Sequence, residues 1–276
     1  MRSRHRPAPA AIGRSALLLA VARSALVLLR YSPPLCRSSP PRLMSSSSKI
    51  PGSLPPSRSI PAAAMDGESP APPRGACLLV LCGKSDAEKD RARSMASEHN
   101  LKLLDAGEEI AVSLLPYSDG AANPTNPPPK MTFRAQRYMD ALSTSRFGRL
   151  LLWSPRLPST HDVVSQNFCE LPLGSVCVAD IQAKGRGRSK NVWESPPGCL
   201  MFSFTLQMED GRAVPLVQYV VSLAVTEAIK DVCRAKDLPF LGVKIKWPND
   251  LYLNGLKVGG ILCTSTYRSK SLFVYE

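Results

Sequence analysis

The sequence predicts an α/β fold, and three observations carry that prediction. Short apolar runs at 150–153, 174–180 and 199–206 read as strands; residues 214–235 repeat apolar side chains at helical spacing; and Asn254-Gly255 separates two further strand patterns. At 276 residues and 44% hydrophobic, the chain is long enough to bury a sizeable core.

Charge divides the chain before any element does. The formal net charge is +13, yet residues 1–65 hold ten basic residues and no Asp or Glu, leaving 25 basic against 22 acidic in the rest. The body therefore carries about +3, and a global nucleic-acid footprint loses its support. Arg, Ser, Ala and Pro dominate residues 1–74, a composition that fits an organellar transit peptide with a disordered leader. The apolar run at 16–29 is split by Arg23 and is shorter than the roughly 20 residues that span a bilayer, so no membrane anchor is expected; a secretory signal is opposed by the same arginine. Met65 opens the first acid-containing stretch and suggests a second start that yields a cytosolic form.

Taken in order, residues 75–117 predict a small α/β unit: an apolar run at 76–82, then Gly83-Lys84-Ser85, then a charged helical stretch. The Gly-Lys-Ser resembles the end of a phosphate loop. The first glycine of that motif would fall at 78, which is Leu78, so no phosphate role is assigned. Pro124, Pro127, Pro128 and Pro129 mark 118–147 as a linker, which leaves 148–276 as the main unit. There, Ser159-Thr160 after Pro158 predicts a helix entry capped by hydroxyls. The helix at 214–235 is expected to pack Leu216, Val220, Leu223, Ala224, Ala228 and Val232 on the sheet. Val243, Ile245 and Trp247 alternate with Lys244 and Lys246, predicting that the first set is buried and the second exposed.

Asn254-Gly255 is a type I′ hairpin signal. It pairs Leu253 with Leu256, Tyr252 with Lys257, Leu251 with Val258 and Asp250 with Gly259. One face is then apolar (Leu251, Leu253, Leu256, Val258) and expected in the core; the other presents Asp250, Tyr252, Lys257 and Gly259 as a functional face.

Gly-Arg-Gly-Arg at 185–188 is the chemistry-bearing loop. Gly185 and Gly187 let backbone approach a ligand closely, and an extended course would put Arg186 and Arg188 on one side, which suits an anion. The motif occurs once, between two strand patterns, unlike the repeats of arginine-glycine RNA-binding segments. Trp193 either covers an adenine or plugs the core beneath the loop. Lys257 has Gly259-Gly260 beside it, leaving room for a ligand; Asp250 is a base, an orienting partner for Lys257 or a turn former. The eight cysteines contain no Cys-x-x-Cys and there are three histidines, so no metal site is expected and the thiols fit a reducing compartment.

In this order and spacing the motifs resemble the biotin–protein ligases (holocarboxylase synthetases), plant-type members above all. Ser159-Thr160, Gln182 three residues before Gly-Arg-Gly-Arg, Trp193 five after it, Lys-Trp-Pro-Asn-Asp at 246–250 and Lys257 seven beyond Asp250 carry the resemblance, which runs from about 150 to 268. It implies a mixed, largely antiparallel sheet with packed helices, as in the biotin/lipoate ligase core. It also implies that biotin and ATP form biotinyl-5′-adenylate, whose biotinyl group then passes to a lysine of the carrier domains of biotin-dependent carboxylases, with Mg2+ carried mainly on ATP. By the same resemblance Lys257, Arg188 and Asp250 are the catalytic candidates. Ser159, Thr160, Gln182, Gly185, Arg186 and Lys257 are assigned to biotin, and Arg186, Gly187, Arg188, Trp193, Lys246 and Asn249 to the nucleotide. The implied location is chloroplast or mitochondrion. Two features depart from the pattern. His161 stands where many relatives have asparagine, and the chain reaches Glu276 where the family continues into another strand and a small β-barrel, so a C-terminally truncated core is expected. The alternatives are a catalytically inactive, truncated binding or regulatory protein, and a lipoate–protein ligase.

Overall fold

The computed structural model describes residues 77–275 except 106, 118–132, 189–190, 196–197, 209–210 and 269–270. The leader at 1–74, Met65 and the prolines at 124–129 lie outside the described residues. The first half contains β1 (Cys77–Gly83), α1 (Asp86–Glu98), the short β2 (Leu104–Asp105) and β3 (Glu108–Glu109), β4 (Val112–Pro116), α2 (Ala135–Ala141), β5 (Leu150–Ser154) and α3 (Thr160–Gln166). Then follow β6 (Val176–Ala179), β7 (Gln182–Arg186), β8 (Val192–Ser195), β9 (Met201–Met208), α4 (Val214–Ala235), β10 (Lys244–Lys246), β11 (Asp250–Leu253), β12 (Leu256–Gly260), β13 (Thr264–Arg268) and β14 (Ser271–Tyr275).

A seven-stranded mixed sheet in the order β13-β14-β9-β6-β5-β1-β4 is the centre of the molecule. Its β5/β6 and β1/β4 pairs are parallel; β1/β5, β6/β9, β9/β14 and β13/β14 are antiparallel. Both faces are covered, and the period of two along each strand explains why the strands read as continuous apolar runs. On one face Leu151, Val176, Val178 and Phe204 pack with Tyr138 and Met139 of α2 and with Val217, Val221 and Ala224 of α4. On the other, Leu79, Leu81, Leu150, Leu152 and Cys177 pack with Met95 of α1 and with Val163 and Val164 of α3. Leu151 and Leu152 are each 0% exposed, and burials of that kind contribute about 2 kcal/mol per side chain.

Residues 77–117 share the sheet of the main unit: Val80, Leu81, Cys82 and Gly83 pair antiparallel with Trp153, Leu152, Leu151 and Leu150. In the segment expected as a linker, Ala135–Ala141 form α2, and Phe133, Tyr138, Met139, Leu142 and Phe147 are buried. The prolines at 124–129 conveyed nothing about this stretch, because the partners of its apolar residues are distant in sequence.

Gly83-Lys84-Ser85 serves structure. Lys84 Nζ donates to the Met139 and Asp140 carbonyls at the end of α2, and Ser85 is the N-cap of α1. Glu88 accepts the Ser85 N–H at 2.7 Å and the Arg149 guanidinium at 2.7 and 3.0 Å, which ties α1 to the start of β5.

Three expectations about side-chain placement are corrected. On α4, Ala224 and Ala228 are buried as expected, but the other buried apolar residues are Val217, Val221 and Cys233 in place of Leu216, Val220 and Val232, and Leu216 is exposed. This helix is long and apolar enough to cross a membrane by length and composition, yet its buried face packs against the sheet. Trp247 falls after β10, is 59% exposed, and meets the Tyr219 ring of α4 with centroids 5.6 Å apart. Finally, β11 and β12 pair Leu253 with Leu256 and Tyr252 with Lys257 as expected, but then Leu251 with Gly259 and Asp250 with Gly260. Val258 is the extra residue of a β-bulge, and it and Leu256 are exposed, so only Leu251 of the expected apolar face is fully buried. Glycine suits the new position: a Cβ on Gly259 would stand 3.3 Å from Leu251 Cδ1.

Cys77, Cys82, Cys177 and Cys233 are buried, and burial pushes the Cys82 thiol up to about 12. Such thiols are inert core packing.

Candidate active site

The helix α3 begins at the C-terminal end of β5, where Ser159 (2% exposed) is the N-cap and Thr160 (3% exposed) the first helical residue. The expected hydroxyl cap is absent: Ser159 makes no side-chain cap bond. Gln182 Oε1 takes that place, accepting the Thr160 N–H at 2.8 Å and the Thr160 hydroxyl at 3.1 Å. The Thr160 hydroxyl also lies 2.9 Å from Ser203 Oγ on β9. Gln182, Thr160 and Ser203 thus form a polar chain at one end of the sheet. Ser203 carried no motif signal, since its role comes from a cross-sheet contact.

The glycine loop is a two-stranded ribbon, β7 with β8, in which Gly185 pairs with Trp193 and Arg186 with Val192. The two arginines diverge, contrary to the expectation that they share one side. Arg186 forms an ion pair with Asp162 of α3, and Arg188 donates to Asn249 Oδ1 at 3.1 Å. Asn249 is held in turn by its Nδ2 donating to the Ile261 carbonyl at 2.9 Å. Asp162 was missed in the sequence, although it stands two residues after Thr160 in the helix that the motif opens.

From the opposite side comes the hairpin. Lys257 Nζ lies 2.7 Å from Asp250 Oδ1 and 5.0 Å from the centre of the Trp193 ring, a cation–π distance. A Cβ on Gly260 would meet Trp193 Cζ2 at 3.4 Å, and one on Gly187 would meet Trp193 Nε1 at 2.6 Å. The indole is therefore layered between the glycine ribbon and β12. Gly185, Gly187, Arg188, Trp193, Asn249, Asp250 and Lys257 converge in one place, while Arg186 turns to Asp162, and Ser159, Thr160 and Gln182 border the cluster through α3 and β7. Lys246 is the cross-strand partner of Asp250 in the β10/β11 pair; its side chain is exposed, with Nζ 5.5 Å over the Tyr252 ring.

Two half-buried titratable groups lie on the elements that carry the site. Burial first, and the Arg186 charge second, push His161 down to about 4, so its imidazole is neutral near neutral pH. Its Nε2 lies 3.0 Å from Thr264 Oγ1, which ties α3 to β13. Asp180, between β6 and β7, is pushed up to about 6 by burial, against the opposing pull of the Phe133 N–H at 2.9 Å and the Trp153 indole. A raised carboxyl is protonated more readily in the folded state. Its contribution to stability is thus full below the ordinary value of 3.8 and lost as pH rises through about 6. Asp180→Asn is expected to raise unfolding stability at about pH 8 by about 1–2 kcal/mol, with little gain at about pH 4. Urea unfolding at both pH values checks this, and equal effects at the two would refute the sign.

A cationic glycine ribbon facing a hairpin lysine beside an α/β sheet makes a positively charged site suited to an anion. Residues 153–275 match the biotin/lipoate A/B protein ligase family. It is 61% identical over 216 residues to Biotin--protein ligase 1, chloroplastic, of Arabidopsis thaliana, covering 78% of this chain and 56% of that one. Biotin--protein ligase 2 of the same organism is 60% identical over 198 residues, covering 72% and 59%. This chain thus spans somewhat more than half the length of these relatives. A solved biotin protein ligase from Aquifex aeolicus in complex with biotin and ATP is 32% identical, aligned over 45% of this chain and 50% of that one with a TM-score of 0.34.

Proposed function

We propose that this chain is an ATP-dependent biotin–protein ligase, with residues 148–276 holding the ligand-binding machinery and residues 1–74 acting as an organellar leader. The observation that carries the reading is the convergence of Lys257, Trp193 and the Arg188-bearing ribbon on one cluster. High identity to two plant biotin–protein ligases supports the substrate class, and the name of the first supports a plastid destination.

In the first step a biotin carboxylate oxygen attacks the α-phosphorus of ATP, and the bond to pyrophosphate breaks. The carboxylate is already ionised near neutral pH, so the protein's task is to offset negative charge that builds on the α-phosphate. Lys257, Arg186 and Arg188 do this, and Asp250 orients the Lys257 ammonium. Mg2+ enters on the ATP phosphates. Ser159, Thr160 and Gln182 hold the polar ends of biotin, with Gly185 allowing close approach; Gly187, Trp193, Lys246 and Asn249 enclose the nucleotide. In the second step an acceptor lysine, with an ordinary pKa of about 10.4, gives its proton up with Asp250 as the assisting base, attacks the biotinyl carbonyl and expels AMP. The acceptor is the carrier domain of a biotin-dependent carboxylase.

Purified full chain incubated with biotin, ATP and such a carrier domain tests this. Biotin-dependent pyrophosphate release followed by lysine biotinylation is expected. Faster turnover with lipoate would reassign the chain to lipoate ligation. Biotin binding without adenylate would make it a binding or regulatory protein.

A further inference from the structure

We infer that the strand segment 102–105 is a positioning element for the ligand site, gripping both α3 and β7 through Asn167, Gln166 and the Asp105–Lys184 ion pair. The inference rests on reading α3 and the glycine ribbon as the biotin and nucleotide site.

The helix α3 is seven residues long and lacks a side-chain cap at Ser159, so it does not hold its own position. Its N-terminal end is anchored by Gln182, as described. What anchors the other end is an unusual pairing. In an extended chain, residues i and i+2 turn their backbone N–H and C=O toward the same edge. Lys102 and Leu104 do so, while the intervening Leu103 is buried at 1% exposure. Asn167 takes both backbone groups of Lys102: its Oδ1 accepts the N–H at 2.7 Å, and its Nδ2 donates to the carbonyl at 2.6 Å. Gln166 takes both groups of Leu104, accepting its N–H at 2.6 Å and donating to its carbonyl at 3.1 Å. Two adjacent side-chain amides thereby stand in for a neighbouring strand.

Asn167 is the stronger partner. It is 3% exposed and also donates to the Val163 carbonyl at 2.8 Å, which joins the grip to the body of α3. Loss of a buried amide leaves its partners without water to replace it, whereas the Gln166 pair is open to solvent. The next residue of the segment, Asp105, forms an ion pair with Lys184, the residue before Gly185. One four-residue segment thus holds the helix that carries Thr160, His161 and Asp162 and the strand that carries Gly185 and Arg186. Residues 77–117, which bear no ligand motif, would in this way set the separation of the two halves of the site.

The full chain is used for the test, with three readouts: biotin kinetics, amide hydrogen exchange without ligand, and melting temperature. Asn167→Ala is expected to raise KM for biotin about tenfold or more with kcat within about threefold, because a displaced helix weakens ground-state binding. Asn167→Asp keeps an acceptor for the Lys102 N–H but turns a carboxylate oxygen on the Lys102 and Val163 carbonyls, so it should weaken biotin at least as much. Asp105→Lys, which places like charges together, should weaken biotin about threefold, with Asp105→Lys/Lys184→Asp restoring it. Exchange at 160–166 and 182–186 should quicken about tenfold in Asn167→Ala, with the central strands β5 and β6 unchanged. The inference is overturned if exchange quickens uniformly, if α3 and β7 are unaffected, or if the charge swap restores nothing. Should the wild-type chain bind no biotin, the ligase reading fails; the exchange pattern still decides whether the segment grips the two elements.

Discussion

Replacing Lys257 with alanine should slow biotinyl-adenylate formation by about 10²- to 10³-fold, the cost typical of removing a preorganised group that meets charge only in the transition state. Three contacts make this the most damaging single change. Lys257 Nζ is fixed by Asp250 at 2.7 Å, faces the Trp193 ring at 5.0 Å, and projects from a hairpin whose bulge follows it immediately. Its charge is therefore held in place before substrate arrives, and little reorganisation is needed during reaction. Lys257→Arg should recover only part of the loss, since a planar fork does not reproduce a compact ammonium beside Asp250 and the indole. Asp250→Asn keeps the lysine but loosens it, with an expected loss of about tenfold. Biotin-dependent pyrophosphate release measures all three. A loss under about threefold for Lys257→Ala would remove the residue from its assigned role.

Gly185→Val should weaken ATP binding about 100-fold while leaving the melting temperature nearly unchanged. A Cβ at residue 185 would stand 2.8 Å from the Trp193 carbonyl oxygen and 3.1 Å from Ser195 Oγ. The first is backbone and cannot rotate away, so β7 and β8 must separate and carry Trp193 off Lys257. Stability should survive because this ribbon is a separate two-stranded sheet, outside the seven-stranded one. Gly242→Ala is the matched control, with nothing within 4 Å of the added atom. Calorimetric titration with ATP, run beside thermal melts, checks both halves. Equal affinities for Gly185→Val and the control would show that the ribbon does not contact nucleotide.

Legibility differed by element. The helix at 214–235 and the strands near 150–153 and 176–179 were visible because their apolar periods are long or continuous. Residues 133–147 were not, because a proline-rich approach disguised a short helix whose buried residues, Tyr138 and Met139, meet strands well separated in sequence. The hairpin turn and its first two pairs followed from Asn254-Gly255, but the bulge at Val258 did not, because it answers to Leu251 packing against Gly259 across the ladder. Trp247 was expected inside because it alternates with Lys244 and Lys246; the strand instead ends at Lys246, leaving the ring against Tyr219.

By itself the sequence determined the fold class, the residues of the glycine ribbon and the hairpin lysine with its neighbouring aspartate, since each is written in short-range spacing along the chain. Only the tertiary structure decided the pairings: Gln182 capping α3 from 22 residues away, Arg188 reaching Asn249 across 61, Arg186 turning to Asp162, and segment 102–105 gripping α3. The physical reason is that a side chain's partner depends on strand order and register in the sheet, which bring distant residues within hydrogen-bond reach and leave no mark in local periodicity.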